Sequence, residues 1–302
     1  MSFSSDVKEE LSAISEMPPC CVQAQGYGML LFGKSFNINR ISLMTEHGTV
    51  AKKFAELIKN TSDVDAEMKV TAGGKFVPNV RRQNDCKKVL EIFSVAGNDI
   101  VRRINYANLQ NESNGDINCC EAAFLRGAFL SAGTVSDPNK GYHLEFAVPY
   151  LRLSQDLMKL MSDIGLAAKK TVRRGVQIVY FKDSGQIEDL LTVMGATMSS
   201  LELMSAKVYK DVRNSVNRKS NFEAANLSKT VDASVRQIKA IEKIDKATGL
   251  ETLPEELRMI ARLRLENPEM NLKEMGESVS PKISRSGVNH RLRKLIEISE
   301  SL

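Results

Sequence analysis

The sequence predicts an α+β protein in which a duplicated αββαββα domain is followed by a small all-α domain. Three observations support this prediction. A segment early in the chain of 302 residues is repeated 99 positions later. Strand-like and helical patterns alternate up to residue 205, and only helical patterns follow. The excess of positive charge lies between these parts. We therefore divide the chain into a duplicated domain over 1–205, a basic helical connector over 206–249 and a C-terminal domain over 250–302.

The composition is that of a globular protein without a membrane span or an export signal. Hydrophobic residues make up 42% of the chain, and no run approaches the ~18 apolar residues of a membrane span. The polar start MSFSSDVKEEL lacks the basic and apolar regions of a signal peptide. The five cysteines lack the pattern of a disulfide framework, and with three histidines and no CxxC they show no zinc signature. We expect a cytoplasmic protein without a metal or a cofactor.

The internal repeat begins with two adjacent cysteines in each copy. A shift of 99 positions aligns CCVQAQGYGMLLFGK at 20–34 with CCEAAFLRGAFLSAG at 119–133. Five of the fifteen positions are identical, where chance predicts about one. The two copies extend over about 1–105 and 106–205. Because neither copy could bury its apolar helix alone, we expect them to pack into one pseudo-two-fold domain.

Each copy continues with matching strand and helix patterns. Strands are predicted at 36–45, 68–74 and 88–95 in the first copy, and at 142–149, 169–174 and 176–182 in the second. Helices are predicted from apolar residues at helical spacing at 50–60 and 151–165. Gly175 separates the last two strands, which predicts a hairpin there.

The repeated helix is apolar almost all round, which predicts that it is buried. Gly28 and Gly127 occupy matching positions, and a residue without a side chain lets two helix backbones approach closely. We therefore expect the two copies of this helix to pack against each other at a central seam. The cysteines at the start of each helix are interpreted as small buried residues rather than as redox or metal sites.

The connector carries the net charge of the chain. Residues 206–246 hold ten basic and five acidic side chains, whereas the parts on either side are neutral. Apolar spacing predicts two helices here, separated by an Asn- and Arg-rich stretch at 214–226. Asn and Arg contact phosphates and base edges, so the candidate DNA contacts are Arg213, Asn217, Arg218 and Asn221. A solvated charged linker, in which the asparagines are helix caps, is the alternative.

Three short helices are predicted after residue 250. The first has Thr252 as its N-cap and ends at Asn267, the second lies within 271–279, and the third begins after Ser284. The last two form a helix-turn-helix over about Asn271 to Ser301, with a turn at 280–283. The candidate DNA-binding residues of its final helix are Ser284, Arg285, Ser286, Asn289, His290, Arg291, Arg293 and Lys294. A small helical bundle with a solvated basic face is the alternative.

The segment LRGAFLSAG at 125–133, in its duplicated αββαββα setting, resembles the LAGLIDADG motif of homing endonucleases. The resemblance implies that the two motif helices form the domain seam and that an acid beside the final Gly of each would hold the catalytic divalent metal. The matching position is Ala132 in the second copy and Gly33 or Phe32 in the first, so no carboxylate is present. Since metal-assisted cleavage needs oxygen ligands there, we expect the scaffold not to cut DNA.

The ordered combination of motifs resembles the WhiA family over essentially the whole chain. It consists of the MSFSSDVKEEL start, the two CC-led helices, NSVNRKSNFEAANLSKTVDA at 214–233 and SRSGVNHRLRKL at 284–295. The family comprises bacterial DNA-binding regulators linked to sporulation and cell division. The resemblance implies a non-catalytic, sequence-specific DNA-binding protein with a role in transcription regulation and in cell division or chromosome segregation.

Double-stranded DNA is therefore the expected partner, and another regulatory protein is a second candidate. No membrane, small-molecule substrate, cofactor or metal is expected, and the protein should associate with the nucleoid. Two alternatives remain open. One is a divergent metal-dependent endonuclease that uses Glu121, although the first copy has Val22 at that position. The other is an interaction scaffold that is basic for another reason.

Overall fold

The computed structural model describes residues 2–95, 102–109 and 119–302. These residues form two compact units, Met1–Lys210 and Asp211–Leu302. The first unit is a mixed α+β domain and the second is all-helical, as the sequence predicts. No helix in the described ranges is both long enough and apolar enough to cross a bilayer.

The first unit opens with a helix that the sequence analysis missed, α1 (Phe3–Ala13). The Ser2 side chain caps it, and Phe3, Val7 and Leu11 form its buried face. The spacing of these three apolar residues is typical of one helix face, so the signal was present in the polar start of the chain.

The first copy of the repeat has the predicted αββαββα order. Its helices are α2 (Pro19–Leu31), α3 (Gly48–Ser62) and α4 (Gln83–Ile92), and its strands are β1 (Ser35–Asn37), β2 (Arg40–Ser42), β3 (Glu67–Val70) and β4 (Phe76–Val80). The strands pair antiparallel in the order β1-β2-β4-β3.

The second copy repeats this order and this sheet topology. Its helices are α5 (Cys119–Ala132), α6 (Leu151–Asp163) and α7 (Ser184–Met194), and its strands are β5 (Gly133–Val135), β6 (Leu144–Val148), β7 (Lys169–Arg173) and β8 (Val176–Phe181). The sheet order is β5-β6-β8-β7. Arg174 and Gly175 both have positive φ, as a tight two-residue hairpin requires, which confirms the predicted turn between β7 and β8.

One predicted strand is wrong. Residues 88–95 belong mostly to α4, because Cys86, Val89 and Leu90 are spaced to bury one face of a helix rather than alternate residues of a strand. The strand that completes this sheet is β4, which contains Pro78 and was not among the predicted strands. The proline has no N–H to donate, yet its carbonyl accepts a hydrogen bond from Leu43 N at 3.2 Å.

The predicted seam between the motif helices α2 and α5 is confirmed. A Cβ placed on Gly28 would lie 2.3 Å from the carbonyl oxygen of Phe124, and one on Gly127 would lie 2.2 Å from that of Gln25. The contact is therefore reciprocal, backbone against backbone at matching positions of the two copies. Only glycine fits at either position without moving the helices apart.

The connector forms one long helix, α8 (Thr197–Thr248), rather than the two predicted helices. No Gly or Pro lies within this helix. The nearest glycines are Gly195, before it, and Gly249, after it. The Asn- and Arg-rich stretch at 214–226 was interpreted as a break, but Asn and Ser lower helix propensity by only a few tenths of a kcal/mol each. Without a stronger breaker the helix continues through them.

The second unit adds three helices to the end of α8: α9 (Glu255–Glu266), α10 (Leu272–Glu277) and α11 (Arg285–Ser301). Their common core contains Ile241, Ile260, Met275, Val288 and Leu292. Thr252 is not the N-cap of α9, because it lies in a short 3-10 turn where its hydroxyl donates to the carbonyl of Gly249. Pro254 occupies the cap position instead, and Asn267 ends the helix as predicted.

Candidate nucleic-acid interface

The turn between α10 and α11 is fixed by caps and by one close backbone contact. Asn271 and Glu274 cap α10 reciprocally, and the Ser284 hydroxyl accepts a hydrogen bond from Gly287 N at 3.2 Å at the start of α11. Ile283 N donates to Gly276 O at 3.0 Å, and a Cβ on Gly276 would lie 2.2 Å from the carbonyl oxygen of Ile283. This glycine therefore allows the two helices of the helix-turn-helix to approach each other.

A buried arginine holds the loop that leads into α10. Arg264 is 3% exposed, and its guanidinium donates to the carbonyl oxygens of Pro268 at 3.2 Å and Met270 at 2.8 Å. Burial lowers the pKa of this guanidinium, but an arginine has so high an ordinary pKa that it stays charged. Arg264 thus fixes the position of the Asn271 cap, and through it the start of α10.

The buried side of α11 determines which side chains point outward. Val288, Leu292 and Leu295 are buried in the core of the second unit. The opposite side carries most of the predicted DNA-contacting residues: Ser284, Arg285, Ser286, His290, Arg293 and Lys294 are exposed, and Asn289 is half-buried. The helix therefore presents its N-terminal polar residues to solvent, which is the arrangement a helix needs to insert into a major groove.

Arg291 differs from the other predicted contacts. Its guanidinium forms an ion pair with Glu256 of α9 at 2.7 Å and is 20% exposed. An arginine engaged in this way links two helices of the unit and has fewer donors left for a phosphate or a base. The structure thus separates Arg291 from the exposed residues around it.

An open groove of about 1240 Å³ lies beside the N-terminal part of α11. One wall is α8 over residues 226–238, and the other is formed by the start of α10 and the first turns of α11. Its polar lining side chains include Asn226, Lys229, Asn271, Lys273, Arg285 and Asn289. Cations and amides from three helices therefore converge on the helix that was predicted to contact bases.

The connector candidates lie further along the same helix. Arg213, Asn217 and Asn221 follow one another at intervals of four residues, so they form one stripe along α8, and Arg218 lies beside it. All four are exposed. At 1.5 Å rise per residue, the stripe extends over about 12 Å.

The structure adds four residues that the sequence analysis did not select for the interface, namely Asn226, Lys229, Asn271 and Lys273. Asn226 and Lys229 are three residues apart and therefore share a helix face, which was a usable signal once α8 was known to be continuous. The Asn271-x-x-Glu274 spacing was also available as a capping-box signal.

The end of the seam that would hold a catalytic metal in a LAGLIDADG enzyme has apolar or small residues. Ala132 is the last residue of α5, and Phe32 and Gly33 follow α2. Glu121 lies eleven residues before Ala132, which is about 16 Å along the helix. Its carboxylate is therefore at the opposite end of α5 from the position that the motif assigns to the acid.

Curated relatives match the chain over nearly its full length. The proteins named "Probable cell division protein WhiA" from Alkaliphilus oremlandii and Alkaliphilus metalliredigens are 41% and 38% identical, over 100% and 99% of this chain and 98% of each relative. That of Bacillus subtilis is 38% identical over 100% of this chain and 97% of its own. The chain belongs to the WhiA family.

The WhiA domain families divide the chain in the same order as the structure. The WhiA LAGLIDADG-like domain matches residues 121–213, and the WhiA C-terminal HTH domain matches 216–299. Among solved structures, full-length DUF199/WhiA from Thermatoga maritima is similar with a TM-score of 0.61 and 24% identity, covering 100% of this chain and 99% of that one. The WhiA fold, with its helix-turn-helix, is thus established for this chain.

Proposed function

We propose that this protein is a non-catalytic regulator that binds specific double-stranded DNA sequences through α11 and contacts the DNA backbone through α8. The observation that carries the proposal is the exposed N-terminal part of α11, where Arg285, Ser286 and Asn289 project beside the groove. Arg pairs with guanine and Asn with adenine in a major groove, so these side chains have the chemistry for reading bases. Lys229, Lys273 and the connector cations are suited to phosphates.

The names of the relatives support a proposal for the biological role. They are named as cell division proteins, and we propose that this chain likewise regulates transcription in connection with cell division and chromosome segregation. We place the protein in the cytoplasm on the nucleoid, with a second regulatory protein as a further partner. We also retain the functional division into a LAGLIDADG-like domain at 1–205, a connector at 206–249 and a DNA-binding domain at 250–302.

The proposed base contacts of α11 and backbone contacts of α8 can be distinguished by DNA titration. The specific duplex is first obtained by mapping bound DNA genome-wide, and binding to it and to a scrambled duplex is then measured by fluorescence anisotropy at several salt concentrations. Arg285→Ala and Asn289→Ala should each reduce the preference for the specific duplex by about 1–3 kcal/mol. Arg152→Ala, an exposed arginine of α6, is the control and should change neither affinity.

The connector should contribute affinity without specificity. Replacing Arg213, Arg218 and Lys219 by Ala should weaken binding to both duplexes by a similar factor. The slope of log affinity against log salt concentration should become shallower by about one unit for each phosphate that the variant no longer binds. If this variant lost the preference for the specific duplex while the α11 variants kept it, α8 would be the base-reading element. If the wild type bound neither duplex at low salt, the regulator proposal would fail and a protein scaffold would replace it.

The second candidate function is a divergent endonuclease, and Glu121 is the residue that favours it. One Glu121 carboxylate oxygen is buried without a hydrogen-bond partner among the described residues. Incubation of supercoiled plasmid with the purified protein and Mg²⁺ or Mn²⁺ tests this candidate. We expect no nicking above buffer. Nicking that disappears in Glu121→Gln would establish the enzyme instead.

A further inference from the structure

Four cysteines meet at the opposite end of the seam from the positions where the motif would place its acids. Cys20 and Cys21 lie in the first turn of α2, and Cys119 and Cys120 in the first turn of α5. Their four Sγ atoms all lie within 4.8 Å of one another. We propose that this cluster is a tetrahedral Zn²⁺ site that joins the two copies of the repeat.

The distances fit a single tetrahedral ion. A Zn–S bond of about 2.3 Å places the sulfurs of a Cys₄ site about 3.8 Å apart. The Sγ atoms of Cys119 and Cys120 are already 3.9 Å apart, and every other pair needs to close by about 1 Å at most. An iron–sulfur cluster places several irons and bridging sulfides between its cysteines, so it requires wider separations than this cluster offers.

The ligands come from both copies in a two-fold pattern. Cys20 and Cys119 occupy equivalent positions of the repeat, as do Cys21 and Cys120, and the sulfurs of the two pairs all lie within 4.8 Å of one another. Cys21 and Cys120 are buried, while Cys20 and Cys119 are half-buried, which leaves a route from solvent to the cluster. Because each copy supplies two ligands, the complete site exists only when α2 and α5 are packed together.

Burial raises the pKa of the Cys21 and Cys120 thiols, so the charge of such a site must be stabilised by the ion and by the groups around it. Binding Zn²⁺ to four cysteines releases four thiol protons to solvent and leaves a doubly negative centre. The four cysteines lie in the N-terminal turns of α2 and α5, where the helix dipole favours negative charge. Burial lowers the pKa of the Arg126 guanidinium, and negative charge at Cys21 opposes this shift. Hydrogen bonds to the Met194 carbonyl at 2.6 Å and the Gln25 side chain at 3.1 Å hold this guanidinium in place.

This proposal departs from the prediction made from the sequence. Adjacent cysteines without a CxxC spacing gave no zinc signature, and the cysteines were interpreted as small buried residues. That interpretation depended on spacing along the chain, whereas the fold joins two pairs that are 99 residues apart. The expectation of no metal at Ala132 and Gly33 concerns the other end of the seam and is not changed by this proposal.

The first test uses the full-length wild type. After purification without chelator, metal analysis should find about one zinc per chain. The metal-free, reduced protein should bind one Co²⁺ and give the intense red-region absorption of a tetrahedral thiolate complex. A weak octahedral Co²⁺ spectrum, or no binding, would overturn the proposal without any variant being needed. Disulfides at these cysteines in the untreated protein, detected by mass, would also overturn it.

The second test assigns the ligands. Cys20→Ser and Cys119→Ser should each reduce the bound zinc from about one equivalent to near zero, whereas Cys86→Ser, which changes a buried cysteine of α4 outside the cluster, should keep it. In the wild type, a chelator should make four further thiols reactive and lower the Tm. In Cys20→Ser, which should hold no zinc, the same chelator should leave the Tm unchanged. If four cluster thiols react in the untreated protein without metal release, the site holds no ion and the proposal is wrong.

Discussion

Lys8 is a buried cation on the inner face of α1. Its side chain is 7% exposed, and burial lowers its pKa from 10.5 to about 8, although Glu46 opposes this shift. Between pH 8 and 10.5 the unfolded chain therefore binds more protons at this residue than the folded chain does, so stability rises with pH over that range. Below pH 8 the buried charge costs at most about 3.5 kcal/mol, at about 1.4 kcal/mol per pH unit.

Lys8→Met should remove both effects. At pH 7 we expect a higher free energy of unfolding, by up to about 3.5 kcal/mol, and between pH 8 and 10 we expect the rise in stability to disappear. Urea denaturation from pH 7 to 10 measures both. Lys52→Met, which changes an exposed lysine of α3, is the control and should leave the pH dependence unchanged. A lower stability of Lys8→Met at pH 7 would show that the ammonium group stabilises the fold, through its contact with the Phe129 ring at 6.0 Å.

Residue roles could be predicted from the sequence where the signal is local. Ser284 as an N-cap and the outward side of α11 followed from spacing within one helix, and the structure has them in those places. Gly276 and the four-cysteine cluster were missed, because their importance depends on backbones or sulfurs that meet only after folding. A single sequence shows that a residue is small or apolar, but it does not show which distant group it faces.

At the scale of elements, the seam between α2 and α5 predicts a large effect from a single methyl group. In Gly127→Ala the new Cβ would meet the Gln25 carbonyl, and neither backbone can yield without moving its helix. We expect a loss of about 1–3 kcal/mol in the free energy of unfolding. Gly141→Ala, where no atom lies within 4 Å of the new Cβ, is the matched control and should be close to neutral.

The same seam predicts non-additivity. Once one alanine has separated the helices, the second methyl group at Gly28 meets a wider gap, so Gly28→Ala/Gly127→Ala should cost less than the sum of the two single variants. Thermal and urea unfolding of all three variants measures this. Additive losses would mean that the two contacts are independent and that the seam is not a single close approach.

The N-terminus of α8 is capped by a carboxylate of α1, that of Glu10. Glu10 accepts hydrogen bonds from Met198 N at 2.7 Å, Ser199 N at 3.0 Å and the Ser199 hydroxyl at 2.6 Å. Because a carboxylate at a helix N-terminus satisfies otherwise unpaired N–H groups, Glu10→Ala should cost about 1–2 kcal/mol in unfolding free energy. Glu9→Ala, an exposed neighbour, should cost much less. Equal losses in both variants would contradict a capping role.

Helices and strands were predicted correctly where the apolar periodicity was clear. The predictions were wrong where the segment was short or mostly polar. The αββαββα order of both copies followed from the repeat and from amphipathic stretches such as α3 and α6. Residues 88–95 are apolar at too many positions to separate helix from strand by pattern alone. The stretch at 214–226 lacks an apolar pattern, so only the absence of Gly and Pro indicated a continuous helix.

At the scale of the whole molecule, the central part of α8 is the most accessible helical segment among the described residues. Residues 211–233 are exposed at every position, including Val212, Val216 and Phe222. A helix without tertiary packing opens easily, because its own hydrogen bonds are all that must break. The backbone there is consequently available to a protease long before the first unit or the packed helices α9, α10 and α11 unfold.

Limited trypsin digestion should therefore cleave first at Arg213, Arg218 or Lys219 and leave two persistent fragments. A local opening energy lower by about 1.4 kcal/mol gives about tenfold faster cleavage than at Arg152 in the packed helix α6. Mass spectrometry of early time points identifies the sites. Saturating specific DNA should slow this cleavage if α8 contacts the backbone of the duplex. First cleavage within residues 2–95 would show that α8 is not the least stable helix.

The Glu10 cap also has a consequence for synthesis on the ribosome. Its partner Met198 is added 188 residues later, which at about 5–20 residues per second takes about 10–40 s. During that interval α1 has been made, but the helix end that its carboxylate completes does not yet exist. The packing of α1 is therefore completed in two stages: it can contact α3 once residues 48–62 have been made, whereas the Glu10 carboxylate reaches its hydrogen-bond partners only after the start of α8 has followed.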